Sequence, residues 1–213
     1  MYKIEKIAVF GHHSTREDEP LFKDVFNTTQ ILARHGYTIV QGGGGGVMLA
    51  AGLGAKAGGG KTIGVTYNPT KMEGIGHEHF EGVTQENPMD EEIVTKNYIE
   101  RTLTMMDLAD LYLVFNGDSG TVSEFGMAWG LAKIHFGHHK PLILYGEFWH
   151  DIMESFGSNM MISETSLSVY AIVSRPHDVV KAFEPLCANA ACFEPLLVKS
   201  LEEGPTAEEK KTI

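Results

Sequence analysis

The sequence has few cysteines and no long apolar run. Only Cys187 and Cys192 occur among the 213 residues, which excludes a fold stapled by disulfides. No apolar run approaches the ~18 residues that a membrane-spanning helix needs. Residues 1–6 lead directly into a strand-like segment, so we expect no signal peptide. These absences predict a cytoplasmic protein that does not bind a membrane.

Basic residues are also scarce, because 17 Lys and Arg face 28 Asp and Glu and the formal net charge is −11. A protein that binds the phosphate backbone of a nucleic acid needs a basic face, so we expect no nucleic-acid partner. The acidic balance still permits a local pocket for a small anion. The hydrophobic fraction of 43% is ordinary for a globular protein.

Glycine is abundant, and the 24 glycines cluster between segments that alternate in type. Short apolar segments predict strands, and longer periodic ones predict helices. Strands are expected at 4–10, 37–41, 62–66, 110–115, 141–145 and 169–173. Helices are expected at 20–35, 47–57, 92–107 and 121–135, between the last two strands, and near 176–186. Alternation predicts an α/β fold: a doubly wound, mostly parallel Rossmann-like sheet with helices on both faces. We expect one nucleotide-binding domain at 1–186, with 67–91 as an excursion, and a partly flexible C-terminal extension at 187–213.

Three turns are expected to face one crevice, at residues 11–16, 42–46 and 116–120. In such sheets ligands bind beyond the C-terminal strand ends, where the strand order reverses, here between the first and fourth predicted strands. The run Gly42–Gly46 either offers backbone N–H groups to an anion or allows a helix to pack closely on a strand. It lacks the dinucleotide fingerprint, and no acidic residue follows the strand ending at Thr66, so NAD is not expected.

Glu124 is the only ionisable residue between Thr121 and Ala132, in a segment typical of a buried helix. One interpretation is a capping box, in which Thr121 and Glu124 satisfy the first N–H groups of the helix. The other is a carboxylate that faces a site, favoured by the preceding turn with Gly117 and Gly120.

Arg101 is a second charge in an apolar stripe, formed with Val94, Tyr98 and Met105 at helical spacing. A buried guanidinium needs partners. Its partner is either a structural acid such as Asp110, or a ligand phosphate or catalytic carboxylate.

Histidines raise the question of a metal, because His77, His79 and Glu81 alternate along the chain. On a strand, they would share one face. The glycine-flanked, polar context favours a solvated loop, so we expect no metal. We also expect no pyridoxal phosphate, since Lys140 lies in a predicted loop rather than a defined pocket.

Several motifs, in the right order, resemble the LOG ("lonely guy") family of nucleotide phosphoribohydrolases over residues 5–185. The family's Gly-Ser-Ser turn corresponds to Gly11-His12-His13-Ser14, and its glycine loop followed by Leu-Met to Gly43–Met48. The remaining matches are Gly59–Val65, Glu100–Met105, Asn116–Glu124 and His138–Pro141. Asn116, Asp118 and Thr102 depart from the family's Pro, Gly and Lys.

The resemblance implies catalytic roles for Arg101 and Glu124, no cofactor, and a homodimer or higher homo-oligomer. It also implies a phosphate cradle at the glycine turns. The complete predicted nucleotide-binding set is Gly11, Ser14, Gly43, Gly44, Gly45, Gly46, Met48, Gly117, Asp118, Ser119, Gly120 and Thr121.

The expected function is hydrolysis of the N-glycosidic bond of a nucleoside 5′-monophosphate, either AMP-like or a cytokinin riboside monophosphate. Cleavage builds positive charge on the ribose, which a carboxylate such as Glu124 stabilises. The alternative is a non-catalytic carrier of a nucleotide or of the molybdenum cofactor on the same fold. A carboxylate at Asp118 would repel phosphate and favours that alternative.

Overall fold

A computed structural model describes residues 3–67 and 84–189 of the chain. Strands and helices alternate along it, as predicted. The elements are β1 (Lys6–Phe10), α1 (Pro20–Arg34), β2 (Thr38–Gln41), α2 (Val47–Ala57), β3 (Thr62–Tyr67), β4 (Glu91–Thr95), α3 (Tyr98–Leu108), β5 (Leu111–Val114), α4 (Ser119–Ile134), β6 (Leu142–Tyr145), α5 (Phe148–Asn159), α6 (Glu164–Leu167), β7 (Tyr170–Val173) and α7 (Pro176–Asn189). Helix α7 crosses the predicted domain boundary at residue 186, and residues 190–213 lie outside the described part.

The strands form one seven-stranded sheet in the order β4-β3-β2-β1-β5-β6-β7, and every neighbouring pair is parallel. Ile7 of β1 lies opposite Ile39 of β2 and Leu111 of β5. The doubly wound Rossmann-like prediction is therefore confirmed. The order reverses between β1 and β5, which are the first and fourth predicted strands, so the expected crevice lies beyond their C-terminal ends.

Two apolar cores cover the two faces of the sheet, which explains why its inner strands are almost wholly apolar. Helices α1, α2 and α7 pack on one face, with side chains such as Leu32 and Phe183. Helices α3, α4 and α5 cover the other face, with Met105, Phe125 and Trp149. The charges at Arg101 and Glu124 belong to helices of this second layer.

The predicted helix beginning near Glu92 is wrong at its start, because residues 91–95 form the edge strand β4 beside β3. Three consecutive β-branched residues, Ile93 to Thr95, favour a strand over a helix. Helix α3 begins only at Tyr98, and the Asn97 side chain caps it by accepting a 2.9 Å bond from the Glu100 N–H. Val94 is thus an exposed strand residue rather than part of the helical stripe.

Helix α4 begins two residues earlier than predicted. Asp118 is its N-cap, and the Asp118 carboxylate accepts a 2.6 Å bond from the Ser119 N–H. A capping box of Thr121 and Glu124 is therefore wrong, because both residues already lie inside the helix. Glu124 lies in the second turn of α4 and is buried. Of the two interpretations, only the one in which Glu124 faces a site remains.

Within the described residues, no helix has both the length and the apolar character needed to cross a membrane.

Candidate functional site

An open cleft lies at the C-terminal edge of the sheet, beyond the ends of β1 and β5. Its walls come from the turn after β1, the first turns of α3 and α4, and the start of α2. From the predicted set, Gly11, Met48, Arg101 and Glu124 line the cleft. The α4 side of the cleft is completed by Asp118, Gly120 and Thr121.

Arg101 and Glu124 form an ion pair at the floor of this cleft. The distance from Arg101 Nη1 to Glu124 Oε1 is 3.5 Å, and both side chains are less than one-tenth exposed. Arg101 Nε also donates a 3.0 Å bond to the Val65 carbonyl, and Nη2 donates to Met48 Sδ at 3.3 Å. The guanidinium is therefore held at three of its nitrogens, with one side directed to the carboxylate.

The alternative partner considered for Arg101, Asp110, has a different role. One carboxylate oxygen of Asp110 accepts 2.9 Å bonds from the backbone N–H groups of Glu5 and Lys6, which ties β5 to β1 at the opposite end of the sheet. Desolvating a charge pair costs free energy that the Coulomb attraction repays only partly. A buried Arg–Glu pair at the bottom of an open cleft is therefore expected to add little to folding stability. It is a good candidate for a catalytic or ligand-binding role.

Two turns around the cleft are bonded to each other. The His12 N–H donates to the Asn116 carbonyl at 3.0 Å, and the His12 carbonyl accepts from the Val47 N–H at 2.8 Å. Gly117 makes this approach possible, because a Cβ there would overlap Thr121 Oγ1 and lie 3.0 Å from the His12 nitrogen. The β1, β5 and α2 ends are thereby joined into one rim.

The glycine run 42–46 is mostly buried beneath this rim, and its glycines are needed for packing. A Cβ at Gly42 would overlap Arg101 Nη2, and one at Gly43 would lie 2.5 Å from the Thr66 methyl group. Gly46 has φ +57°, and a Cβ there would overlap the His12 carbonyl oxygen. Among the described residues, Gly43 to Gly46 are not part of the cleft lining. Their anion-binding role remains a prediction, whereas their packing role is visible.

The two predicted serines lie on the outside of the rim. Ser14 is exposed, and its N–H donates to His12 Nδ1 at 3.3 Å. Ser119 is exposed in the first turn of α4, next to its cap. Neither serine lines the cleft in the part of the chain that the structure describes.

A buried amide pair that the sequence analysis missed holds the glycine run in place. Asn87 Nδ2 donates to Gln41 Oε1 at 2.9 Å and to the Gly44 carbonyl at 2.8 Å, while Gln41 Nε2 donates to Asn87 Oδ1 at 3.1 Å. Gln41 Oε1 also accepts the Gly43 N–H at 2.5 Å. The two residues are 46 positions apart, so no local pattern could have linked them.

Tyr98 is a second missed residue of the cleft. Its hydroxyl donates to the Gly120 carbonyl at 3.1 Å and lies 2.5 Å from Ser123 Oγ. This contact joins the first turns of α3 and α4, the helices that carry Arg101 and Glu124. The sequence feature that could have identified Tyr98 is its position on the same helical stripe as Arg101.

A separate pocket lies on the other side of the turn that precedes α4. Its walls are mainly aromatic, with Phe125, Phe148, Trp149 and Phe156, and Thr121 borders both this pocket and the cleft. The indole N–H of Trp149 is buried and has no hydrogen-bond partner among the described residues.

Lys140 has a structural role. Its ammonium group donates to the carbonyls of Met106 and Asp107, at 2.8 and 3.1 Å, and so caps the C-terminal end of α3. Burial lowers the pKa of Lys140, and the nearby carboxylates of Asp107 and Asp110 act in the opposite direction.

Residues 3–67 and 84–189 contain no cluster of three or more potential metal ligands. His77, His79 and Glu81 lie outside the described residues.

The fold recurs in proteins that are described with different functions. The molybdenum cofactor binding protein of Rippkaea orientalis matches with a TM-score of 0.65 and 22% identity, over 87% of this chain and 99% of that one. DNA processing protein A of Helicobacter pylori, described with a single-stranded DNA binding mode, matches with a TM-score of 0.55 and 18% identity, over 88% and 82% of the two chains. At these identities the likeness shows the fold alone.

Comparison of sequences identifies the family to which this chain belongs. A cytokinin riboside 5′-monophosphate phosphoribohydrolase of Mycobacterium tuberculosis is 28% identical over 160 residues, which span 72% of this chain and 80% of the relative. The model of the SLOG cluster4 family matches residues 4–167, which include β1, the Arg101–Glu124 pair and the whole cleft rim. The resemblance to LOG proteins is therefore confirmed, and the chain belongs to the SLOG cluster4 family.

Proposed function

We propose that this protein hydrolyses the N-glycosidic bond of a nucleoside 5′-monophosphate, releasing the free base and ribose 5-phosphate. The observation that carries the proposal is the buried Arg101–Glu124 pair at the floor of an open cleft. The 28% identical relative, a cytokinin riboside 5′-monophosphate phosphoribohydrolase, supports the same reaction class.

Glu124 is the group suited to the reacting centre. Cleavage of the bond between C1′ and the base nitrogen leaves positive charge on the ribose, and an ionised carboxylate close to it stabilises that charge. The same carboxylate can take a proton from the water that adds to C1′. The departing base nitrogen takes up a proton, so water is consumed and its atoms are divided between the two products.

Arg101 is a positioning residue in this scheme. Its bonds to the Val65 carbonyl and to Met48 Sδ fix the guanidinium before any ligand arrives. Arg101 Nη1 lies 3.5 Å from Glu124 Oε1, so the positive charge of the guanidinium faces the carboxylate that acts at the reacting centre. Preorganised charge of this kind stabilises a transition state without reorganisation during the reaction.

The phosphate of the substrate would lie at the start of α4. The backbone N–H groups of a helix N-terminus favour an anion, and Gly120 and Thr121 border the cleft there. Since Asp118 caps the same helix end, the site carries a negative charge next to the expected phosphate position. Slow turnover of ordinary monophosphates is therefore expected.

The test is the release of adenine and ribose 5-phosphate from AMP, followed by chromatography against a blank without enzyme. Glu124→Gln keeps the shape of the side chain and removes its charge, so turnover should fall at least a hundredfold while melting stays close to native. Glu147→Gln, which changes an exposed carboxylate at the start of α5, is the matched control and should retain activity. Equal activity in Glu124→Gln and native protein would contradict the proposal.

A non-catalytic carrier is the second candidate, and Asp118 is the observation that favours it. The solved neighbour from Rippkaea orientalis is described as a molybdenum cofactor binding protein. A carrier needs a cleft that binds and releases its cargo but no group at a reacting bond. Nucleotide binding without any release of base, in native protein and in Glu124→Gln alike, would favour the carrier.

We also propose that the protein is a homodimer in the cytoplasm, acting on a small molecule rather than on nucleic acid. Helices α3 and α4 expose Ile99, Leu103 and Val122, which are 65%, 39% and 55% accessible in the single chain. An apolar face of this kind on neighbouring helices is typical of an interface between subunits.

Light scattering tests this assembly. The native protein should give about twice the 23.4 kDa chain mass, and Leu103→Glu with Val122→Glu should shift it toward one chain mass. Met161→Glu changes a fully exposed side chain after α5 and should leave the mass unchanged. A native particle of one chain mass at micromolar concentration would contradict a dimer.

A further inference from the structure

The turn after β1 carries two adjacent histidines at the cleft. His12 and His13 are both half-buried, line the cleft, and hold their rings 5.1 Å apart. The proposed chemistry of Arg101 and Glu124 makes no use of either ring, so the presence of two imidazoles needs a separate explanation.

His12 is held rigidly by its backbone and its ring. Its N–H and carbonyl bond to Asn116 and Val47, which join the turn to β5 and α2. The ring Nδ1 accepts the Ser14 N–H at 3.3 Å, so a neutral ring carries its proton on Nε2. The ring is therefore a donor at Nε2 when neutral, and protonation of the whole ring requires this Ser14 bond to be given up.

The fixed charges of the cleft call for a cation when an anion binds. Asp118 and Glu124 come from α4 and Arg101 comes from α3, so two carboxylates face one guanidinium. Tyr98 of α3 also lines the cleft, and the buried glycine run beneath the turn contributes no charge. Among the described residues that line the cleft, and without counting the histidines, two carboxylates and one guanidinium leave one net negative charge, which opposes a phosphate.

We propose that His12 and His13 complete the anion-binding part of the cleft together with the start of α4, and that a phosphorylated ligand is taken up together with a proton on this pair. This inference rests on the proposed function, which requires a ligand with a phosphate. Histidine is the side chain whose charge ordinarily changes between pH 5 and 8. A bound phosphate favours the imidazolium form, so the pair should bind the ligand more tightly as pH falls.

The experiment is titration calorimetry with AMP at pH 6.0 and pH 8.0, in native protein and in the double variant His12→Asn, His13→Gln. The variant keeps polar side chains but cannot be protonated, and Asn at position 12 retains an acceptor for the Ser14 N–H. The phosphate of AMP also titrates near pH 6, but this contribution is the same for both proteins and cancels in their difference. Chromatography after each titration checks that AMP is intact.

The native protein should exceed the variant in AMP affinity by about tenfold at pH 6.0, and by less than about threefold at pH 8.0. Native protein should also take up more protons on binding at intermediate pH, measured from heats in two buffers of different ionisation enthalpy. Adenosine, which lacks the phosphate, should show no such difference. His177→Gln, an exposed histidine in α7, is the matched control and should behave as native.

Two outcomes are distinguishable. If AMP binds with the same pH dependence and the same proton uptake in native protein and in the double variant, the role of the histidines is overturned while the proposed function stands. If AMP binds to neither protein at either pH, both the histidine site and the proposed function are overturned.

Discussion

Two glycine-bearing turns lie at the same edge of the sheet, and they differ in what covers them. The turn at 42–46 is buried, and it is held by the Gln41–Asn87 pair and by the rim above it. The turn at 116–120 is largely exposed and borders the cleft through Asp118 and Gly120. In the first turn the missing Cβ atoms make room for the protein itself. In the second turn Gly117 does the same, whereas a Cβ at Gly120 would have space at the cleft.

The contrast separates two meanings of the same sequence signal. A glycine run after a strand predicts close approach of something to the backbone, but not whether that is a ligand or a side chain. At Gly42 the approaching group is the guanidinium of Arg101. The buried turn therefore affects the site indirectly, because it leaves space for the Arg101 side chain. Substitutions in the buried turn should therefore mainly lower folding stability, whereas substitutions in the exposed turn should mainly change ligand affinity.

Gly42→Ala should have the largest effect. Its Cβ would overlap Arg101 Nη2, and Arg101 can move away only by giving up its bonds to Glu124, Val65 or Met48. We expect a loss of about 3 kcal/mol or more in the free energy of unfolding, measured by urea denaturation. Any folded fraction should lack glycosidase activity.

Gly157→Ala is the control for that substitution. Its Cβ would lie 3.5 Å from a Leu167 methyl group, an ordinary contact, within helix α5. Alanine favours a helix over glycine by about 0.5–1 kcal/mol, so a small gain in stability is expected. A Gly42→Ala protein as stable and active as native would show that the buried turn does not position Arg101.

Asn87→Leu should come next. It leaves the buried Gln41 amide and the Gly44 carbonyl without their partner, at a cost of about 1–3 kcal/mol. Hydrogen exchange should show increased opening of the Gly43 N–H, which Gln41 holds. Asn159→Leu, which changes an exposed amide of α5, should cost far less. Equal losses in the two variants would contradict a special role for the amide pair.

Asp118→Asn addresses the open turn and should change affinity rather than folding. Asparagine keeps the N-cap and removes the charge, so AMP should bind about tenfold more tightly at low salt. The gain should shrink as salt rises, because exposed charges are screened. Asp118→Gly should tighten binding similarly, with a cap loss of a few tenths of a kcal/mol. An AMP dissociation constant that does not change in either variant would contradict repulsion by Asp118.

Gly120→Ala should have the smallest effect on folding. The nearest atom to its Cβ would be the Tyr98 hydroxyl oxygen at 3.8 Å, so there is space for a methyl group. Melting should stay within about 1 °C of native or rise slightly, since alanine favours a helix. The methyl group would enter the cleft, so AMP affinity should weaken without loss of stability. Destabilisation comparable with Gly42→Ala would remove the distinction between the two turns.

The parallel sheet and the two charged residues Arg101 and Glu124 were predictable because each produces a local sequence pattern. Short apolar strands between periodic helices predicted the parallel sheet, and single charges in apolar helices marked Arg101 and Glu124. That Arg101 pairs with Glu124 rather than Asp110 was not predictable, since the choice depends on how α3 and α4 lie on the sheet.

Other features depended on contacts between distant segments. β4 was predicted as helix because Val94 happens to continue the spacing of Tyr98 and Arg101, while its pairing with β3 is a tertiary contact. The capping box was one of two interpretations of Thr121 and Glu124, and it is wrong because Asp118 takes the N-cap position and begins the helix earlier. The Gln41–Asn87 pair had no sequence signal at all.

Strand β4 also bears on how the protein avoids self-association at its sheet edge. An outermost strand presents unpaired backbone groups to which another chain can add. Here two consecutive exposed carboxylates, Glu91 and Glu92, place one negative charge on each face of that strand, and Glu92 accepts a 2.8 Å bond from the Thr66 hydroxyl. A second β4 that docked alongside would bring like charges together. We therefore expect this acidic edge to disfavour fibre-like growth of the sheet.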